Sequence, residues 1–237
     1  MSSYSIVPIT AEDLPTLAAF VYTSKQQLTI NRVLWKDWPN EAAQRANYTN
    51  AVEGAFKDPL SETFKVVDDE SGEILGHVVL SRKVPVGGDV KNTGTDDEGE
   101  GSQDEKVPKG LNLEVAGEVG EAVKEIDKEF LGEDRFGLYI SHATSGISAN
   151  QLIEVTHLFV VMPHRKRGIG SQLVKLCIDK AQAEKFPLVV FSEPEVHGFF
   201  LGLGFEDTKH VDIDLRKWAP EYCGFGMFRI WGMVMRN

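Results

Sequence analysis

The chain has 237 residues, 42% hydrophobic and 26% charged, with a formal net charge of −11; that length buries one core without demanding two domains, and so acidic a balance argues against a nucleic-acid binder. No apolar run approaches the roughly 18 residues of a membrane-spanning helix, and Met1-Ser-Ser-Tyr4 has no basic flank leading into an apolar stretch, so the reading is a cytoplasmic protein without membrane attachment. Cys177 and Cys223 stand alone without CxxC spacing, so neither a disulfide framework nor a metal site is expected.

From the N-terminus, Tyr4-Ser-Ile-Val-Pro-Ile reads as a short strand. Thr10-Ala-Glu-Asp13 then forms a capping box before a helix carrying Leu14, Leu17, Ala18 and Val21 at helical spacing. Two further amphipathic helices are predicted, around Leu28–Trp35 and over Glu41–Phe56, the second stopped by Asp58-Pro59. Thr63–Val67 and Ile74–Ser81 read as an antiparallel hairpin turned at Asp68-Asp-Glu-Ser-Gly72. Gly87–Glu105 holds seven acidic residues and five glycines with Val90 as its single aliphatic residue, the composition of a solvated, disordered insert. Val119, Ala122, Val123, Ile126 and Phe130 then place a helix over Ala116–Leu131.

The second half is more regular. Gln151–Val161 is predicted as a strand and Ser171–Lys185 as a helix with the stripe Leu173, Val174, Cys177, Ile178 and Ala181. Pro187–Phe191 is a continuous apolar strand of the kind found in buried parallel pairs. A short helix over Glu195–Leu203 ends at Gly204, and two long strands, Phe205–Leu215 and Phe225–Met235, complete an α/β chain.

The loop between the strand and the long helix is the most informative segment. His164-Arg-Lys-Arg-Gly-Ile-Gly-Ser171 puts four potentially cationic side chains and two glycines at a helix N-terminus. Free N–H groups, the positive end of the helix dipole and close backbone approach together favour a phosphorylated ligand. A tight turn with a solvated basic rim is the alternative. A P-loop string, GxxxxGK[ST], is absent, and the dinucleotide fingerprint fails because Gly168-x-Gly170-x-x ends on Leu173.

Leu158-Phe-Val-Val-Met-Pro-His-Arg-Lys-Arg-Gly-Ile-Gly170 resembles the pyrophosphate motif of the GNAT superfamily of acetyl-CoA-dependent N-acetyltransferases, in which [RQ]-x-x-G-x-[GA] follows an apolar strand; Arg165-x-x-Gly168-x-Gly170 satisfies it. Phe199-Phe-Leu-Gly-Leu-Gly-Phe205 is similar to the family's closing helix, Leu-Tyr-x-x-x-Gly-Phe. The resemblance implies a mixed central sheet flanked by helices and splayed after its fourth strand, over a single domain of residues 1–237. It further implies that the backbone of Leu158, Phe159 and Val160 pairs with the pantetheine arm of acetyl-CoA. Arg165, Lys166, Arg167, Gly168, Ile169, Gly170 and Ser171 would cradle the pyrophosphate, and an amine of a small molecule or peptide would attack the thioester directly, without a metal.

Three positions depart from the family pattern. Phe200 replaces the tyrosine that serves as acid toward the thiolate, Glu193 stands at the usual asparagine, and the loop proline is displaced to Pro163. His197, three residues before Phe200, is an alternative donor. Glu154 lies eleven residues before Arg165, the position of the base in histone-modifying members, and is read as the general base, with Thr156 on its face by strand alternation. An ammonium-binding or ion-paired carboxylate is the alternative. His157 falls on the opposite face unless a bulge intervenes. Trp35, Trp38 and Trp218–Phe225 are candidates for reading the acceptor, or are core. A non-catalytic acyl-CoA-binding regulator, favoured by Phe200, and a nucleotide-dependent enzyme are the competing functions.

Overall fold

The computed structural model describes residues 3–83, 107–131 and 151–235; the acidic insert expected over Gly87–Glu105 lies outside them. Among the described residues seven strands form one mixed, open sheet in the order β1-β2-β3-β4-β5-β7-β6. β1 is Tyr4–Pro8, β2 Ser61–Asp68, β3 Ile74–Lys83, β4 Leu152–Val160, β5 Leu188–Ser192, β6 Phe205–Asp214 and β7 Met227–Met235. Only β4 and β5 run parallel; the other neighbours are antiparallel.

The N-terminal helix starts where the capping box places it. Asp13 accepts the Thr10 N–H (2.7 Å) and hydroxyl (3.0 Å), and a 3₁₀ turn over Ala11–Asp13 leads into α1, Leu14–Gln26. The helix expected over Leu28–Trp35 shortens to the four residues of α2, Asn31–Leu34. Its apolar side chains Leu28, Ile30, Val33 and Trp35 are buried as the periodicity asked. The backbone, however, is drawn away: Lys36 N–H donates to Gly110 O, Asn112 N–H donates to Leu34 O, and Trp35 bridges Leu111. A long-range partner decides that segment, which no local pattern could report. α3 spans Glu41–Lys57, α4 Leu113–Leu131, α5 Ile169–Glu184 and α6 His197–Gly202.

Two cores flank the sheet. On one face α5 sets Ile169, Leu173, Val174, Cys177 and Ala181 against Val78, Leu80, Ile153, Val155, Leu188 and Val190. On the other, α2 and α4 set Val33, Ala122, Ile126 and Phe130 against Leu152, Val189, Ile213 and Ile230. Both faces of β4 and β5 are therefore covered, which is why Pro187–Phe191 reads as continuously apolar. Among the described residues no helix is long and apolar enough to cross a membrane.

Two irregularities of β4 shape the centre of the sheet. Its register with β5 covers Ile153, Glu154 and Val155 opposite Leu188, Val189 and Val190, whereas its register with β3 runs on to Val160. β5 meanwhile continues against β7 to Ser192. The two central strands thus part after Val155. The β3 register also shifts, because Val79 faces His157 while Leu80 faces Val155, so Thr156 is the extra residue of a β-bulge.

Candidate active site at the parting of the central strands

The bulge changes which side chains share a face. Alternation alone sends His157 away from Glu154, but with Thr156 inserted, Glu154 lies opposite Ser81, His157 opposite Val79 and Phe159 opposite His77, all on one face of β3. The expectation that His157 points to the opposite face is thereby corrected. Thr156 keeps company with that face as expected, its hydroxyl donating to Ser81 Oγ at 2.9 Å.

The loop after β4 turns sharply into α5. A 3₁₀ turn over Met162–His164 carries Pro163, and Gly168 takes φ +84° as the N-cap of α5, so the helix begins at Ile169, two residues before the expected start. The first helical bond runs from Gln172 N–H to Gly168 O (3.0 Å), which leaves the N–H groups of Ile169, Gly170 and Ser171 ahead of the ladder. A side chain at Gly170 would meet the Phe199 ring at 3.4 Å, whereas one at Gly168 would project into open space. Arg165 ties the loop to the strand end, its Nε donating to Val160 O (2.8 Å) with the guanidinium 5.5 Å from the centre of the Phe159 ring. Arg165, Lys166 and Arg167 are exposed, and no carboxylate among the described residues pairs with them. The segment therefore gathers positive charge and free N–H donors beside the opening between β4 and β5.

Glu154 is almost fully buried on β4, its Oε2 3.1 Å from Lys83 Nζ. Burial raises its pKa above the usual carboxylate range, the Lys83 ammonium opposes the shift, and Asp127 on α4 adds to it. The carboxylate sits between a cation and a second acid whose own pKa burial also raises.

On the same face a cavity of about 260 Å³ lies between α1, α3 and strands β2 to β4. Leu17, Val21, Ala51, Val52 and Val79 supply much of its wall, and His77, Thr156 and His157 bring polar groups from the sheet. Lys25 also borders it and is held by Glu193, 2.8 Å away, across the mouth of the parting strands. Tyr48 is fixed at the wall by donating to Asn31 Oδ1 (3.2 Å), as does Trp35 Nε1 (3.2 Å). Trp35 is thus a core residue rather than a reader of the acceptor, and Trp38 is half-buried nearby.

Residues 118–214 match the acetyltransferase (GNAT) domain family. Comparison with curated proteins gives no significant sequence match. Among solved structures, a putative arylalkylamine N-acetyltransferase 7 of the yellow fever mosquito superposes over 98% of this chain and 87% of its own, with 13% identity and a TM-score of 0.64. A mosquito arylalkylamine N-acetyltransferase like 5b does so over 98% and 99%, at 13% identity and 0.58. Arabidopsis thaliana NAA60 in complex with a bisubstrate analogue covers 98% and 97%, at 14% identity and 0.51. At these identities the likeness is one of fold, and the open seven-stranded sheet is the feature held in common.

The residue expected at the tyrosine position of the resembled family lies in the core. Phe200 is 3% exposed and packs edge-on against Phe199 and Phe205. His197 is engaged elsewhere, Nε2 2.8 Å from Asp207 Oδ1 and the ring stacked 4.1 Å from Trp231. Sequence reasoning missed His77 and Lys25. A lone histidine inside the apolar run Leu75-Gly-His-Val-Val-Leu80 was the available signal for the first. Lys25 has none, because only the approach of α1 to Glu193 gives it a place.

Proposed function

We propose that the protein is an acetyl-CoA-dependent N-acetyltransferase acting on the amine of a small molecule or peptide. One observation carries this reading: β4 leaves β5 after Val155 beside a loop of unpaired N–H groups and cations, while a cavity opens on the same stretch of β4. The Gly168 turn and the donors of Ile169, Gly170 and Ser171 suit a pyrophosphate, with Arg165, Lys166 and Arg167 supplying charge. The strand segment Leu158, Phe159 and Val160, unpaired on its β5 side, suits an extended amide-bearing arm.

In this reading the neutral amine attacks the thioester carbonyl carbon. The N–C bond forms, the C–S bond breaks, and sulfur departs as the CoA thiolate. A thiol pKa of about 8.5 makes that departure tolerable without an acid at Phe200. Glu154 is proposed to take the ammonium proton, directly or through water, since a raised carboxylate pKa brings it nearer the working range of a general base. The ion pair with Lys83 supports a purely electrostatic role as the alternative. Thiol release from acetyl-CoA across an amine panel, with mass detection of acetylated product, tests the proposal. Stabilisation by CoA without thiol release for any amine would leave the acyl-CoA-binding regulator, the reading that the buried Phe200 favours; stabilisation by ATP or NAD instead of CoA would favour the nucleotide-dependent reading.

A further inference from the structure

Thioester cleavage leaves a negative charge on sulfur, and the side chains expected to meet it are occupied elsewhere. Phe200 is buried against Phe199 and Phe205 and has no proton to give, while His197 is held by Asp207 and Trp231. The strands say where the sulfur would stand. An arm that starts at the turn into α5 and runs back along Val160, Phe159 and Leu158 brings its far end to Thr156 and His157, where β4 has already parted from β5. Across that gap β5 ends at Ser192, and Glu193 is the next residue. α1 bridges the two sides: Ser24 Oγ lies 3.1 Å from His157 Nε2, and the neighbouring Lys25 reaches Glu193 Oε1 at 2.8 Å. The ion pair thus spans the opening at the level of the far end of the arm.

Lys25 is the one lysine or arginine that borders the cavity there, and the side chains of Lys25 and Glu193 are 33% and 31% exposed, so the ammonium is open to a ligand. Of its three N–H donors one goes to Glu193, and no second acceptor meets it among the described residues. The neighbouring titratable groups bring no positive charge of their own. Burial holds His157 on β4 well below the usual histidine range and pushes the Tyr48 hydroxyl on α3 above its usual value, so both are neutral near pH 7. Resting on the acetyltransferase reading, we propose that Lys25 is a catalytic residue whose ammonium receives the departing sulfur of CoA, with Glu193 fixing it over the gap. The amine nitrogen bonds the carbonyl carbon, the C–S electron pair goes to sulfur, and the thiolate forms against Lys25 Nζ. Ordinary ammonium and thiol pKa values of about 10.4 and 8.5 keep the proton on nitrogen. Lys25 therefore acts by charge, and the thiolate takes its proton from water on release.

The thiol of bound CoA reports that charge directly. CoA and desulfo-CoA, which lacks only the sulfur, are titrated by calorimetry between about pH 6 and 9.5. The ratio of their affinities stays flat with pH if the bound thiol keeps its free value, and climbs about 10-fold for each unit by which the protein lowers it. A lone ammonium lowers a neighbouring acid by about 1–3 units and Glu193 opposes it, so wild type should show a rise of about 10-fold. Lys25→Met should abolish or reverse the rise and lower kcat about 10-fold, whereas Lys25→Arg keeps the charge and should keep the rise. Glu193→Gln leaves the ammonium uncompensated and should steepen the rise. A merely structural bridge would be broken alike by Lys25→Met and Glu193→Gln, so changes of the same sign in the two variants overturn the proposal. A flat ratio in wild type, a rise retained in Lys25→Met, or an unchanged kcat in that variant does so too. Binding of neither CoA nor desulfo-CoA to wild type would remove the acetyl-CoA reading and this proposal with it, whereas a flat ratio with both bound removes this proposal alone.

Discussion

Placing a carboxylate at Gly168 probes the anion cradle, and the structure separates its effects on folding and on binding. Gly168 has φ +84°, so any L-residue there is strained by about 1–2 kcal/mol, and for a chain of this size that lowers Tm by roughly 2–8 °C. No atom lies within 4 Å of the position a Cβ would take, so the protein itself offers no clash. Gly168→Asp and Gly168→Asn match closely in shape and tolerance of this backbone and differ by one charge. A unit charge about 6 Å from one phosphate charge, at an effective dielectric of roughly 20 to 80, costs about 0.7–2.8 kcal/mol, and two phosphates double it. Gly168→Asp should therefore bind CoA about 10-fold or more weaker than Gly168→Asn by calorimetry. Raising salt from 0.01 to 1 M shortens the screening length from about 30 to 3 Å and should narrow the gap. Equal affinities of the two variants, or wild-type affinity in Gly168→Asp, would refute the cradle.

Glu154→Gln keeps volume and removes the titrating group; turnover should fall on the order of 100-fold with the acidic limb of the pH–rate profile lost, while CoA binding stays normal. The same variant should be no less stable than wild type at pH 7. A carboxyl whose folded pKa is raised contributes stability fully below the ordinary value near 4.5 and loses it as pH climbs through the folded value, so at pH 7 the buried charge is a cost. The buried histidines carry the opposite sign: their depressed folded values mean that stability present above pH 6.5 is lost as pH falls, by up to about 1.4 kcal/mol per pH unit for each ring. Urea unfolding between pH 7 and 5 should show that slope, and His77→Phe should flatten it. Phe200→Tyr restores the family's residue but puts a hydroxyl into the Phe199–Phe205 core; a stability loss of about 1–3 kcal/mol without a gain in kcat is expected, and a large rate increase would place the ring at the thiolate.

The order of elements and the turn into α5 are legible in the sequence because they rest on local physics. Glycine at 168 answers a positive φ, the cations precede a helix N-terminus, and the stripe from Leu173 to Ala181 buries one face of α5. Strand alternation likewise placed Thr156 with Glu154. Local pattern failed where a distant partner intervened, as at Trp35, whose backbone leaves the helix for Leu111.

What the sequence determined by itself is therefore the α/β class, the order of elements and the glycine turn with its cations at the start of α5, each encoded within a window of a few turns. The tertiary structure alone decided that β7 inserts between β5 and β6, that β4 parts from β5 after Val155, and that a bulge at Thr156 brings His157 to the face of Glu154. It also decided that His77 meets His157, that Lys25 meets Glu193, and that Phe200 turns into the core. The reason is the same throughout. Register and pairing of the central strands are settled by contacts between residues 35 to 84 positions apart, from Ile153–Leu188 to Gly76–Val160, and a one-residue shift in register exchanges the faces of a strand without changing its composition.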